Sequence, residues 1–532
     1  MSLKNDYNKI KYYFRRYGLF ETLKKIFKRF FRIKENRKTN IEQYKIWIEK
    51  NEPKEEEIEK QRTYKFEFNP KISIVVPMYN TNELFFEKLV ISLKNQTYSN
   101  WELCLADGSE NANDNLTNII KSDARIKYKF LGKNNGISEN TNEAIKIVTG
   151  DYIGFLDHDD LLSRDCLYEI VKCINENKDV DFIYSDEDKI DELEERFEPY
   201  FKPDFSQYTL ECNNYITHFV VIKKELQEKV GLLNSKFNGA QDFDFVLRAT
   251  EKAKKIIHIP KVLYHWRVHK SSTANVADSK PYAYEAGIEV IKEHLKRIGK
   301  KGTVEYGQDV PGIYKIKYDI IGKPKVSILI PNKDNVKLLD TCINSIVNLT
   351  TYKNYEIVII ENNSEEKETF NFYNKLIDNH RIKVLNYNRN TVLDFSGEKN
   401  VITKNENDTK EFNYSSLINF GVKNVDGEFI LQLNNDTKLI SRDWLETFIG
   451  YAQNKEIGAV GARLYYEDKT IQHAGIIIGL SGIAGNSLVN LPYGKHCYFG
   501  RESATRNVSA VTGACLFCKK DIYDKVRIYG WR

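Results

Sequence analysis

The sequence predicts an α/β protein: two tandem domains, each built on a Rossmann-like, mainly parallel sheet, behind a basic helical N-terminal segment. Three observations predict it. Short β-rich apolar runs alternate with amphipathic stretches, the rhythm of βαβ units. The segment that begins at Lys71 returns in recognisable form at Lys325. The chain's 532 residues exceed the roughly 100–200 of one ordinary domain. The expected division is residues 1–70 as N-terminal segment and connector, 71–296 as first domain, 297–324 as linker and 325–532 as second domain.

Most of the modest +5 charge excess sits in "NKIKYYFRRYGLFETLKKIFKRFFRIKENRK". Aromatic and aliphatic residues alternate there with Lys and Arg at near-helical spacing. That pattern fits a basic amphipathic helix on an anionic membrane surface, or equally a helix burying Phe20, Leu23, Phe27 and Phe30 against the body. The rest of the chain offers no basic patch, so nucleic acid is not an expected partner. "IEQYKIWIEKNEPKEEEIEKQRTY" reads as a charged helical connector ending near Pro70. No apolar run approaches the ~18 residues of a spanning helix, and no signal-peptide h-region is present. The expected location is therefore the cytoplasm, with peripheral contact at the inner membrane face in the case where the basic helix lies on the membrane rather than on the body. Of eight cysteines only Cys515 and Cys518 form a CxxC, inside the apolar "TGACLFC", which reads as core rather than zinc site.

The first domain opens with "KISIVVPMYN", then "LFFEKLVISLKNQ" and "WELCLADGS", a strand, helix and strand. "GDYIGFLDHDDLLS" adds a further strand with Asp157, His158, Asp159 and Asp160 at its end. Ligands collect at the carboxyl ends of strands in such sheets. Crowded carboxylates are costly to desolvate without a compensating cation. Asp157 and Asp159 bracket one residue, a spacing that suits Mg²⁺ or Mn²⁺ held jointly with substrate phosphates. Asp107 ends the second strand as an acceptor for a nucleobase N–H. Gly136, in "NNGIS", allows close backbone approach. "GAQDFDF" brings Asp242 and Asp244, either able to deprotonate an acceptor hydroxyl.

In this order, "VVPMYN", "ADGS", "NNGIS", "FLDHDD", "GAQDFDFVLR" and "YHWRVHKSS" resemble the family 2 glycosyltransferases with the GT-A fold. The second copy, with "ILIPNKD", "IENNS", "LQLNNDT", "IQHAGIIIG" and "RNVSAVTGACL", is similar to the same family, of the tandem kind found in bacterial surface polysaccharide synthesis. The resemblance implies a nucleotide-diphosphate sugar donor, a glycan acceptor that can be lipid-linked, and inverting transfer. Pro77, Tyr79 and Asn80 would lie along the nucleoside, with Asp107 on the base and Asp160 beside the donor. Asp157 and Asp159 would form the metal-binding DxD pair. Asp242 would be the general base, although Gln241 replaces the family's usual Glu before it. His269 is open between a contact to the diphosphate or metal and packing beside Trp266, and His158 between packing and a contact to the sugar.

In the second copy Asn434, Asp436 and Thr437 stand for Asp157, Asp159 and Asp160, and Asn362 is aligned with Asp107. Pro331, Asn362, Asn435 and Asp436 are its candidate donor contacts. It reads as C-terminally incomplete, with no counterpart of Asp242, so no independent transferase activity is expected of it. Two rivals remain. A nucleotide-sugar pyrophosphorylase would want a Gly-rich basic loop that "VVPMYNTN" lacks, and a carbohydrate-binding scaffold of degenerate domains fits copy two but not copy one.

Overall fold

The computed structural model describes residues 40–269, 281–307, 310–376, 379–387, 391–393, 413–480 and 482–526. The basic stretch proposed as a membrane-surface or body-packed helix, with Phe20, Leu23, Phe27 and Phe30, lies outside them. Among the described residues no helix is long and apolar enough to cross a membrane. The chain separates into two compact units, the first running to Leu210 and over Asn214–His294, the second taking Glu211–Asn213 and everything from Leu295.

The first unit holds β1 Ile72–Met78, β2 Trp101–Asp107, β3 Ile126–Phe130, β4 Tyr152–Phe155, β5 Leu161–Leu162, β6 Phe182–Ile190, β7 Arg196–Tyr200, β8 Val220–Lys223 and β9 Ile256–Arg267. They form one sheet in the order β3-β2-β1-β4-β8-β6-β9-β5, with β7 on β6. β3, β2, β1 and β4 run parallel, and β8 enters antiparallel between β4 and β6. β1 and β2 are apolar nearly throughout because helices cover both faces, so period-two alternation is lost. The helix Glu83–Lys94 starts where the Asn82 side chain accepts from the Phe85 N–H, and it buries Phe86, Leu89, Val90 and Leu93. Strand order reverses at β1, whose neighbours are β2 and β4, opening a crevice at their carboxyl ends.

The segment read as a connector belongs to this unit. A helix over residues 40–51 places the Tyr44 hydroxyl 2.7 Å from Asp188 and Glu52 2.5 Å from Arg196, while Trp47 lies 4.9 Å from the Phe201 ring.

The second unit carries β10 Gly302–Tyr306, β11 Tyr314–Tyr318, β12 Val326–Asn332, β13 Tyr355–Glu361, β14 Ile382–Asn386, β15 Thr391–Leu393, β16 Phe429–Leu433, β17 Val460–Gly461, β18 Leu464–Tyr465, β19 Ile471–His473, β20 Ile476–Ile478, β21 Ala484–Asn486 and β22 Cys515–Lys519. Its main sheet is ordered β15-β14-β13-β12-β16-β22-β17. The run β14-β13-β12-β16-β22 repeats β3-β2-β1-β4-β8, again with four parallel strands and one antiparallel. The stretch read as a linker contains the β10–β11 hairpin, and the Tyr318 ring packs edge-on to Tyr451 at 5.1 Å. Cys515 and Cys518 are buried in different apolar clusters on β22, and all eight cysteines are unpaired.

Candidate active site

The loops after β1, β2 and β4, together with the start of the helix Gln241–Lys252, bring the first unit's acids to the crevice. Asp107 is buried at the end of β2, its Oδ1 accepting from the Ser109 N–H at 2.9 Å and its Oδ2 from the Tyr128 hydroxyl at 2.9 Å. Pro77 lies within β1, and the Tyr79 side chain beyond it is exposed. Asn80 adopts a positive φ of 47° and donates its N–H to Ser109 Oγ. Gly136, with φ 91°, starts the helix Ile137–Ile145 in a conformation that a side chain would strain.

The four residues after β4 divide sharply. The Asp157 side chain remains 47% exposed, yet the crowding of its cleft is felt. Burial raises its carboxyl above the ordinary carboxylate range; His218 opposes this, and the charges of Asp159 and Asp242 add to it. Asp159 Oδ2 lies 2.9 Å from His269 Nε2. Asp160 is a correction to the expected set of donor contacts. It is fully buried, and its oxygens accept from the Tyr264 hydroxyl and, at 2.7 Å, from the Arg267 N–H. It anchors the acidic turn to β9 rather than facing the crevice, and burial with the neighbouring Asp159 and Asp157 charges pushes its carboxyl well up. His158 Nδ1 is buried and has no hydrogen-bond partner among the described residues.

Asp242 sits exposed in the first turn of its helix, where the N-terminal dipole favours an anion. Its Oδ2 accepts from Asn214 Nδ2 at 2.9 Å. Although solvent reaches the side chain, enclosure by the surrounding protein raises its carboxyl, against the pull of the Phe243 N–H and of His218. Asp244, the other candidate base, is buried and ion-paired with Arg248 at 2.8 Å, a structural role. Gln241 Oε1 accepts from the Gly239 N–H at 2.7 Å, so it shapes the turn before the helix.

His218 is the residue that sequence reasoning missed. It precedes β8, stacks on Tyr264 with ring centroids 4.5 Å apart, and places Nε2 3.9 Å from Asp157 Oδ2. Burial alone would lower its pKa. The hydrogen bond and charge of Glu187, with Asp157 and Asp160, outweigh that and raise it to about 9. Glu187 Oε2 in turn accepts from His218 N–H at 3.0 Å, His218 Nδ1 at 3.2 Å, Thr217 Oγ1 at 2.8 Å and the buried Lys202 Nζ at 3.1 Å. A signal did exist in the sequence: "FVVIKKELQEKV" from Phe219 aligns with "CLFCKKDIYDKV" from Cys515, which sets His218 against Ala514, and strand register gives the same match, so the copies differ here as they do in their acids.

These residues fit a divalent cation. Two open carboxylates, one with a raised pKa, face the crevice with a histidine beside each. No three His, Cys, Asp or Glu side chains among the described residues form a ready-made metal cluster. Such a set suits an ion completed by substrate oxygens, the habit of Mg²⁺.

In the second unit, strand register corrects one alignment. Met78 pairs with Asp107, and its counterpart Asn332 pairs with Glu361. The equivalent of Asp107 is therefore Glu361, not Asn362. Glu361 repeats the same contacts, accepting from the Ser364 N–H and hydroxyl and from the Tyr373 hydroxyl. Asn362, displaced by one, is buried with its Oδ1 unpartnered among the described residues. Pro331 lies within β12, Asn435 donates to Asn332 Oδ1 at 2.7 Å, and Asp436 stands exposed.

Comparison with known proteins agrees with this architecture. Residues 73–231 and 327–394 match the family model "Glycosyl transferase family 2". Each of the two tandem α/β units therefore contains a region of the family 2 glycosyltransferase kind. It is 39% identical over 465 residues to the uncharacterized protein y4gI of Sinorhizobium fredii, covering 86% of this chain and 49% of that protein. It is 31% identical over 492 residues to the O-antigen biosynthesis protein RfbC of Myxococcus xanthus, covering 92% and 37% respectively. To the chondroitin synthase of Pasteurella multocida it is 24% identical over 400 residues, covering 70% and 40%. The chain thus spans about half or less of the length of these relatives.

Proposed function

We propose that the first unit transfers a sugar from a nucleotide-diphosphate donor to a hydroxyl of a glycan acceptor, with inversion, in the synthesis of a bacterial surface polysaccharide. One observation carries this reading: Asp157 and Asp242 are open to the crevice and share one cationic neighbour, His218. In this reading the nucleoside lies along Pro77, Tyr79, Asn80 and Gly136, with Asp107 at the base. Asp157 and Asp159 hold Mg²⁺ or Mn²⁺, with His269 beside Asp159. The cation, when bound, would offset the charge of the diphosphate and of the departing nucleotide.

The chain's own groups account for the rest. His218 presents positive charge where the phosphates would lie, held there by Glu187. The raised pKa of Asp242 makes it a stronger base than an ordinary carboxylate. It takes the acceptor proton as the hydroxyl oxygen bonds to the anomeric carbon. The bond from that carbon to the phosphate oxygen breaks on the opposite side, and its electrons leave with the nucleoside diphosphate. We propose further that the second unit has no transfer activity of its own, that the acceptor is lipid-linked, and that the protein meets the membrane peripherally.

The test is product analysis on purified protein with UDP-, GDP- and dTDP-sugars. Asp242→Asn should slow transfer by roughly 10²–10⁴-fold, the worth of a positioned base, with donor affinity kept. NMR of the product should show an inverted anomeric configuration, and a retained one would sink the single-displacement route.

A further inference from the structure

The second unit gathers three arginines among aromatic rings, a cluster that the proposed reaction does not use. The Arg463 guanidinium lies 5.4 Å over the Tyr465 ring and donates to the backbone carbonyl of Glu502. Tyr465 meets Tyr493 edge-on at 5.5 Å. Arg501 lies 5.0 Å over Tyr498, which meets Phe499 at 4.8 Å. Arg506 Nη2 donates to the Ala474 carbonyl at 2.6 Å and reaches Ser487 Oγ at 3.4 Å.

Glu502, the carboxylate set among them, is buried and already engaged. Its Oε1 meets His496 Nδ1 at 2.9 Å and the Ser503 hydroxyl at 3.3 Å, and its Oε2 accepts from the Cys497 N–H and thiol at 3.1 and 3.0 Å. Among the described residues, neither Arg463 nor Arg506 pairs with a carboxylate; both donate to neutral oxygens. Burial first, then the charge of Arg501 and to a lesser degree of Arg463, lowers the pKa of Arg506, while Cys497 and the Glu502 carboxylate oppose this only in part. Partly buried guanidiniums that outnumber the one nearby carboxylate and do not hydrogen-bond to it are costly, and an arriving anion relieves that cost through strong charge-assisted hydrogen bonds.

The anion's class follows from what surrounds the charges. Tyr493 is 59% exposed and Tyr498 and Phe499 are each 37% exposed, so flat ring faces alternate with guanidinium forks. Aromatic faces suit the C–H faces of sugar rings, and the forks suit carboxylate or phosphate. Arg463 and Arg501 stack on different tyrosines, so each of these charges comes with a ring face beside it. We propose that this face of the second unit binds a glycan chain bearing carboxylate or phosphate groups. The inference rests on the glycan-building reading above only in taking that chain to be the acceptor.

Labelled oligosaccharides of three kinds, uronate-bearing, phosphate-bearing and neutral, would be titrated into the full chain. One of the two anionic kinds should bind, more weakly as salt rises, and the arm that binds identifies the source of the charge. Arg463→Gln and Tyr493→Ala, both at exposed positions, should each weaken binding about tenfold, and Arg506→Gln should weaken it further. Hydrolysis of donor by the first unit should be unchanged in all three. Equal binding of the neutral chain, affinity indifferent to all three substitutions, or displacement by UDP alone would overturn the proposal. Loss of donor turnover in wild type with glycan binding intact would instead sink the catalytic reading and leave this one standing.

Discussion

A cation placed among acids shapes the first unit residue by residue. His218 and Glu187 move in opposite directions from their ordinary values, 6.5 up to about 9 and 4.5 down to about 2. For Glu187 burial pulls upward, but Lys202, His218 and Thr217 prevail. The signs fix a stability window. His218 binds its proton more tightly folded than unfolded, so its contribution is full below pH 6.5 and is lost as pH climbs through about 9. Glu187 releases its proton more readily when folded, so its contribution is full above pH 4.5 and is lost as pH falls toward 2. The melting temperature should therefore decline between pH 6.5 and 9 more steeply in wild type than in His218→Gln; parallel profiles would contradict the assignment. The acids after β4 were legible as a candidate ligand site because polar residues cluster where an apolar strand ends. Which of them face the ligand was not. Asp160 is turned inward by Tyr264 and Arg267, contacts that no local pattern encodes.

At the level of elements, the repeat explains why both sheets close in the same way. At the opposite end of β1 from the crevice, the buried Glu102 accepts from Ser73 Oγ at 2.7 Å and from the Thr149 N–H and hydroxyl, and it pairs with Lys71 and Lys127. In the second unit Glu356 accepts from Ser327 Oγ and pairs with Lys325 and Lys383. The glycine opening each following strand is forced by this packing. A Cβ on Gly150 would meet the Lys71 carbonyl and Ser73 Oγ, each at 2.5 Å, and one on Gly427 would meet Ser327 Oγ at 2.5 Å. Breaking a buried ion network from one side costs roughly 3–5 kcal/mol. Glu102→Gln should move the denaturant midpoint of the first unit accordingly, and Gly150→Ala should lower it too; unchanged midpoints would show that the cluster is idle. The sequence displayed these motifs twice over, which is why the βαβ order could be read. The β10–β11 hairpin and the docked helix over 40–51 could not, because their partners Tyr451 and Asp188 lie far away along the chain.

Across the whole molecule, one fold occurs twice while the acidic cluster of the candidate site is complete only in the first unit. An acid at the end of the second strand, held by a serine and a tyrosine, occurs in both units, as Asp107 with Ser109 and Tyr128 and as Glu361 with Ser364 and Tyr373, although Tyr128 comes from β3 and Tyr373 from the helix Lys367–Leu376. The residues beside the diphosphate position do not. Asp157 becomes Asn434, and His218 becomes Ala514. Asp107 corresponds to Glu361 in the strand ladder, and the ungapped repeat from Lys71 and Lys325 gives the same pair; matching the two acid-polar motifs by residue type instead slips by one position onto Asn362. If the second unit has given up transfer, Asp436→Ala should leave donor turnover at the wild-type rate. The central claim is that one active site, in the first unit, does the chemistry. The measurement that tests it most directly is nucleotide release by the full chain carrying Asp159→Ala, with Mn²⁺ or Mg²⁺ and each donor sugar. The account predicts loss of release, in step with Asp242→Asn. Release that persists in Asp159→Ala and disappears only when Asp436→Ala is added would contradict it and move the catalytic centre to the second unit.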